Sequence, residues 1–401
     1  MKYQGINLEN VKNNNRSAIL HILNNEGAMS RKDIAKKAGL TAASVTLICN
    51  ELIDEGIINE LGEAVEEKRA GRKKILVDIN PLYKYILCIC IETDETYISI
   101  TNLKGLVLDS ITILTEKKGK PEIFLEKIAV ESAKIMWGKG ISKNDVLGAA
   151  VSVPGLVDRE KGISVNSFSI WTKPVPVGKI LSEKLGIRVV VENNLKTSAE
   201  NEILFGDGKE DANFIILKWG PGVGSAIITD HCIYGGANGM SAEIGHVSVN
   251  KDGKPCNCGM KGCLETEIST HAIMDDIQAE YEKAPKKMPG LEQWFNEGNE
   301  MTYKNVDEWA EISDEKILDI FDSKIEMLAF SMRNYRTLLD PGKVILMGYM
   351  FDVEGIYKRF IQKYKEYDSS LKEGVFIKSE NSIRENHIEP LATALNEWFY
   401  A

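Results

Sequence analysis

The chain has 401 residues, 43% hydrophobic and 27% charged, enough to bury two or three cores and ordinary for a soluble globular protein. A net charge of −10 argues against nucleic-acid binding along the whole chain, yet residues 1–77 carry 12 Lys/Arg against 10 Asp/Glu, leaving a mildly basic end on an acidic body. No apolar run approaches the ~20 residues of a membrane span, the N-terminal segment lacks the apolar core of a signal peptide, and seven cysteines without a paired framework point to a reducing compartment, so the expectation is a cytoplasmic protein with no membrane partner.

From the N-terminus, Asn13–Asn25 carries the helical apolar stripe Ile19, Leu20, Ile22 and Leu23, ended by Gly27. Ser30 caps a second helix over 31–38, with Asp33 as the acidic partner in its first turn, and Gly39 breaks it. Thr41 opens a third helix that runs to Gly56, with Val45, Ile48, Leu52 and Ile53 on its inner face. Two short strands, Ile57–Glu60 and Ile75–Val77, then flank a charged tip. Three helices with a Gly-containing turn, followed by such a wing, predict a winged helix-turn-helix over residues 1–77. Arg31, Thr41, Ala43, Ser44 and Thr46 on the helices are candidate DNA contacts, with Arg69, Arg72 and Lys73 near the wing. Small residues at the front of the third helix permit close approach to base edges, and cations at the wing neutralise phosphates. A protein-interaction module with a solvated basic loop is the alternative.

Residues 78–401 alternate strands and helices. Strands are expected at 85–91, 97–101, 106–114, 146–153, 188–191, 214–218, 224–229 and 343–347, and helices at 121–137, 177–185, 196–205 and 389–400. The alternation predicts α/β lobes with mixed sheets. The segment from Glu243 to Glu265 places His246, Cys256, Cys258 and Cys263 in the order H-x9-C-x-C-x4-C. One imidazole and three thiols within eighteen residues match a closed tetrahedral zinc site. Glycines at 253, 259 and 262 let the chain fold back on itself. No open coordination position is expected, so the metal is read as structural Zn2+.

These pieces occur in an order that resembles the ROK family of sugar kinases and sugar-responsive repressors: SVPGLVD (152–158), VENN (191–194), the glycine-rich 220–224 loop, EIGH (243–246), the zinc cluster, GCLE (262–265) and DPGKVILMG (340–348). The winged helix in front resembles the repressor branch, including the xylose repressors. The resemblance implies an actin-like, ribonuclease H-like ROK domain of two lobes over 78–401, with a sugar cleft between them. It maps Asn193, Asn194, Glu243, His246 and Glu265 onto sugar-contacting positions. Trp171 is a further candidate, as a stacking platform.

Two departures from the family pattern oppose catalysis. Family kinases hold ATP phosphates on an Asp-x-Gly-Gly-Thr-type loop, whereas IETDETY (91–97) has no glycine and adds Glu92, Asp94 and Glu95. Without glycine the backbone does not curl around a phosphate, and three carboxylates repel it. Family kinases also activate the sugar hydroxyl with the Asp of an Asn-Asp pair, and this chain has Asn193-Asn194. An amide is not a general base. No catalytic residues and no ATP are therefore expected. The expected function is a repressor whose grip on operator DNA changes when a monosaccharide, a pentose such as xylose or a hexose, binds the ROK domain, with a homodimer or dimer of dimers on the operator. The alternatives are an active sugar kinase, or a regulator that senses another metabolite or a protein through the 271–316 segment, which carries Trp294 and Trp309.

Overall fold

The first three helices are α1 (Leu8–Glu26), α2 (Arg31–Ala38) and α3 (Ala42–Asp54), with a short strand β1 (Met29–Ser30) ahead of α2. Strands β2 (Ile58–Glu63) and β3 (Ile75–Ile79) follow, and the three strands pair antiparallel in the order β1-β3-β2. The structure, a computed structural model, describes residues 8–63, 74–117, 119–167, 170–237, 241–379 and 388–401, so the expected wing contacts Arg69, Arg72 and Lys73 lie outside the described residues.

The helix boundaries follow from local chemistry. Ser30 Oγ accepts the Asp33 N–H at 3.2 Å and donates to the Asp33 carboxylate at 2.6 Å. These bonds satisfy donors that the first turn of α2 leaves unpaired. Gly39 closes α2 in the left-handed region, at φ +63°. Helix α1 starts at Leu8, before the apolar stripe begins. Its first turns are polar, so periodicity gives no sign of them.

The core of this module does not stop at the wing. Ile19, Leu23, Ile34, Val45, Leu52 and Val77 belong to one buried cluster with Ile86, Cys88, Leu391 and Leu395. Residues 1–205 and 386–401 accordingly form one compact unit, and 206–385 a second.

In the first unit β4 (Tyr85–Ile91), β5 (Glu95–Asn102) and β6 (Val107–Leu114) form an antiparallel meander. After α4 (Pro121–Gly138), β7 (Val146–Val153) joins β4 in parallel. A small hairpin, β8 (Leu156–Asp158) and β9 (Ile163–Asn166), leads to α5 (Val177–Leu185), and β10 (Val189–Asn193) then adds in parallel beside β7. Helix α6 (Asn194–Leu204) follows directly. The sheet order is β10-β7-β4-β5-β6. Period-two alternation along β4 sends Leu87, Ile89 and Ile91 into a core with α4 and α5, and Ile86 and Cys88 into the opposite core with the chain-terminal helix.

The second unit repeats the plan. Strands β11 (Phe214–Trp219), β12 (Val223–Thr229) and β13 (Cys232–Ile233) form the meander. Helices α7 (Leu264–Ile268), α8 (Thr270–Lys283), α9 (Pro289–Asn296), α10 (Val306–Trp309) and α11 (Glu315–Leu339) precede β14 (Lys343–Met347). Helices α12 (Tyr349–Asp352) and α13 (Glu354–Tyr367) lead to β15 (Phe376–Lys378), in the order β13-β12-β11-β14-β15. Helix α14 (Pro390–Trp398) returns to the first unit. A three-strand meander extended by two parallel strands, present twice, is the ribonuclease H-like pattern expected from the sequence.

The 271–316 segment is part of this second core. Trp309 is fully buried, with its indole N–H on the Thr302 carbonyl at 2.8 Å, and Trp294 packs against the same cluster. Trp171 also faces inward. It is 5% exposed, among the residues beneath α4 and α5. That corrects its reading as a stacking platform: β8–β9 and the following loop form a lid on the core, and the indole fills it.

Candidate functional site

The second unit brings His246, Cys256, Cys258 and Cys263 together. One ligand atom from each lies within 4.8 Å of every other. His246 Nδ1 is 3.5 Å from Cys256 Sγ, and Cys258 Sγ is 3.6 Å from Cys263 Sγ. A tetrahedron with metal–sulfur bonds of about 2.3 Å and metal–nitrogen bonds of about 2.0 Å has edges close to these distances. Backbone bonds fix the loop: the Cys256 N–H donates to Met260 O, and Gly262 N–H to Lys254 O. Gly262 sits at φ +62°, and a Cβ there would fall 1.5 Å from the Asn250 carbonyl oxygen. Only glycine fits that position. Burial pushes the Cys263 thiol up to about 12, and the neighbouring Cys258 and Cys256 thiols raise it further. A divalent cation at the centre would remove that penalty and hold the sulfurs as thiolates. The cluster can therefore hold a metal ion, and four protein donors leave no position for a substrate.

The metal-binding segment carries the two candidate effector carboxylates at its ends. Glu243 precedes the 3₁₀ turn Ile244–His246 and is exposed. Glu265 lies in the first turn of α7, and its Oε2 accepts the Val223 N–H at 3.0 Å. The glycine-rich 220–224 turn is thereby tied to the metal loop. A Cβ on Gly245 would fall 2.0 Å from the Val223 carbonyl oxygen, so the two loops pack backbone to backbone. Through Nδ1 facing the cysteines, His246 keeps Nε2 as its outer nitrogen.

Asn193 and Asn194 belong to the first unit. Asn193 caps α6: its Oδ1 accepts the N–H groups of Leu195 at 2.9 Å and Lys196 at 3.2 Å, and its Nδ2 donates to Gly155 O at 2.7 Å. The amide joins the SVPG turn to the start of α6. Asn194 Nδ2 donates to Glu92 Oε1 at 3.2 Å. The two residues that depart from the kinase pattern thus meet each other. In the β4–β5 turn Glu92 N–H donates to Glu95 O at 3.0 Å, so the backbone closes on itself as a tight hairpin. Sequence reading listed Glu92 only as a repulsive charge and missed it as the partner of Asn194. The signal was the simultaneous loss of both kinase features, 102 positions apart.

Beside them lies an ionic cluster that sequence reading missed altogether. Arg159 Nη1 is 3.2 Å from Glu192 and 2.9 Å from Glu200, and Nη2 is 3.1 Å from Glu397 on α14. Burial raises the Glu200 carboxyl against the opposing pull of Arg159. No local pattern announces contacts made across such sequence distances.

In the helix-turn-helix, Thr41 Oγ1 accepts the Ser44 N–H at 3.1 Å and caps α3, with Ser44 Oγ 2.9 Å away. Thr46 Oγ1 donates to Ala42 O at 2.7 Å. Arg31 Nη2 pairs with Glu60 at 2.7 Å and reaches Asn50 Oδ1 at 3.3 Å. Thr41, Ala43 and Thr46 are exposed, Ser44 half-buried. The nominated surface therefore exists, and its hydroxyl and guanidinium groups already have partners inside the module.

Comparison with known proteins follows this geometry. Residues 88–383 match the ROK family and residues 12–59 match the winged helix-turn-helix DNA-binding family. The chain is 25% identical over 337 residues to the xylose repressor of Bacillus subtilis (strain 168), covering 84% of this chain and 82% of that one. It is 29% identical over 245 residues to a glucokinase of Halalkalibacterium halodurans, covering 61% and 74%. A crystal structure described as a ROK family transcriptional regulator, homolog of the Escherichia coli MLC protein, superposes with a TM-score of 0.79 at 24% identity over 97% of both chains. That likeness concerns the fold.

Proposed function

The chain belongs to the ROK family, and from that premise we propose that it is a sugar-responsive transcriptional regulator that represses carbohydrate-utilisation genes and has lost phosphoryl transfer. The observation that carries this reading is the Asn194–Glu92 pair combined with a winged helix at the front of the chain. An amide stands where the family's kinases need a base, and its partner is a carboxylate where they need a phosphate cradle. The winged helix supplies an output that needs no catalysis. The xylose repressor relative makes xylose the first effector to try, with glucose second. A kinase reading draws on the glucokinase relative; Asn194 and the glycine-free hairpin oppose it.

Within this proposal Asn193, Asn194, Glu243, His246 and Glu265 contact the sugar, and Zn2+ is held by His246, Cys256, Cys258 and Cys263. Arg31, Thr41, Ala43, Ser44 and Thr46 face DNA, with Arg69, Arg72 and Lys73 on phosphates. Residues 1–77 form the DNA-binding domain and 78–401 the effector domain, in a cytoplasmic homodimer or dimer of dimers. Among the described residues no helix is long and apolar enough to cross a membrane.

The test is fluorescence anisotropy of the full chain on duplex fragments from upstream of its own gene, with and without xylose or glucose, beside a coupled assay for ATP consumption. Sequence-selective binding that a sugar changes, without ATP turnover, is expected. Arg72→Ala should weaken binding on all sequences and lower its salt dependence. Sugar-dependent ATP turnover abolished by Glu243→Ala would instead make the chain a kinase.

A further inference from the structure

Helix α3 turns Ala42, Ala43, Thr46, Leu47 and Asn50 to solvent. Leu47 stands out among them, 62% exposed in the middle of the helix. Its neighbours Val45, Ile48, Cys49 and Leu52 supply the buried face completely, so Leu47 is not needed for folding. The polar groups around it are turned to other work. The Thr41 hydroxyl caps the helix and lies against Ser44 Oγ. Thr46 donates its hydroxyl proton to the Ala42 carbonyl. Asn50 Oδ1 accepts from Arg31, which is held by Glu60. What α3 presents outward near its start is therefore mainly hydrocarbon: two alanine methyls and the Leu47 side chain.

In the major groove only one base-edge feature rewards hydrocarbon, the 5-methyl group of thymine. The groove admits a helix, and small residues at positions 42 and 43 allow it to enter closely. We propose that Leu47, flanked by Ala42 and Ala43, reads the methyl groups of thymines in each operator half-site, so that sequence is selected here by apolar contact rather than by side-chain hydrogen bonds. The inference rests on the DNA-binding reading above and adds the residue and the chemical group that it recognises. It makes Leu47 a specificity-determining residue that the hydroxyl and cation candidates along the sequence did not include.

The experiment uses the full chain and a duplex selected by it from a random library. Each thymine of the selected site is replaced singly by deoxyuridine, which removes only the 5-methyl group, and affinities are measured for the wild type and for Leu47→Ala. At one or two thymines per half-site the wild type should lose roughly fourfold, the factor expected for uncovering one methyl-sized group. Leu47→Ala should bind more weakly, melt at the wild-type temperature, and be indifferent to deoxyuridine at those same positions. Equal deoxyuridine penalties in the two proteins, or none in the wild type, would overturn the assignment while leaving DNA binding intact. Failure of the wild type to select any duplex would overturn the DNA-binding reading and this assignment with it.

Discussion

Single side chains decide the chemistry of this molecule. Cys258 lies 3.6 Å from Cys263 with no other role in its loop. Cys258→Ser should therefore abolish stoichiometric zinc, checked by metal analysis of the purified chain, and an unchanged zinc content would remove Cys258 from the ligand set. Asn194 allows a second forecast. Asn194→Asp sets two carboxylates at the 3.2 Å spacing of the present hydrogen bond to Glu92. Two like charges so close do not both ionise readily, and one pKa rises. A raised carboxyl pKa means that the folded state binds the extra proton, so the variant should be less stable than wild type at pH 8 and approach it as pH falls toward 5. Thermal melts across that range check the sign. Phosphoryl transfer should not return, since the hairpin at 91–97 stays without glycine. Asn194 was legible in the sequence as a missing base, but its partner was not: Glu92 is local to another strand, and only the parallel pairing of β10, β7 and β4 aligns the two strand ends.

Among elements, α1 and α14 show how the first unit is joined. His21 of α1 stacks on Tyr400 after α14, ring centroids 4.0 Å apart, and Asn24 Nδ2 donates to Leu204 O at the end of α6 at 3.3 Å. Burial lowers the His21 pKa below its usual 6.5, so the fold holds the neutral ring. The unfolded chain takes up a proton near 6.5 and the folded chain only at lower pH, so stability is present above that value and lost as pH drops through it. Urea melts from pH 7.5 to 5.5 should show this decline, and His21→Phe should flatten it. An identical slope in the variant would assign the pH dependence elsewhere. Element positions were largely readable: caps at Ser30 and Thr41 and the strands at 85–91, 146–153 and 343–347 stand where the residues put them. The β8–β9 hairpin was not foreseen, because three- and four-residue strands carry too little alternation to register.

For the whole molecule, two compact units with separate cores predict two calorimetric transitions. The metal loop lies entirely in the second unit, so a chelator should lower the transition of residues 206–385 and leave the other in place. A single transition that moves as one would show that the units unfold together. The winged helix should melt with the first unit, since Ile19, Val45 and Val77 share a buried cluster with Ile86 and Leu391. Sequence by itself determined the metal ligand set, the winged helix and the repeated strand-helix plan, because each is written in residues close along the chain: ligands within eighteen positions, caps one turn apart, strands with their own turn residues. Tertiary structure alone decided that Glu92 faces Asn194, that Arg159 gathers Glu192, Glu200 and Glu397, and that Trp171, Trp294 and Trp309 pack into cores. Those contacts join strand ends and helices far apart in sequence, and they form only when sheet register and helix packing bring them within reach.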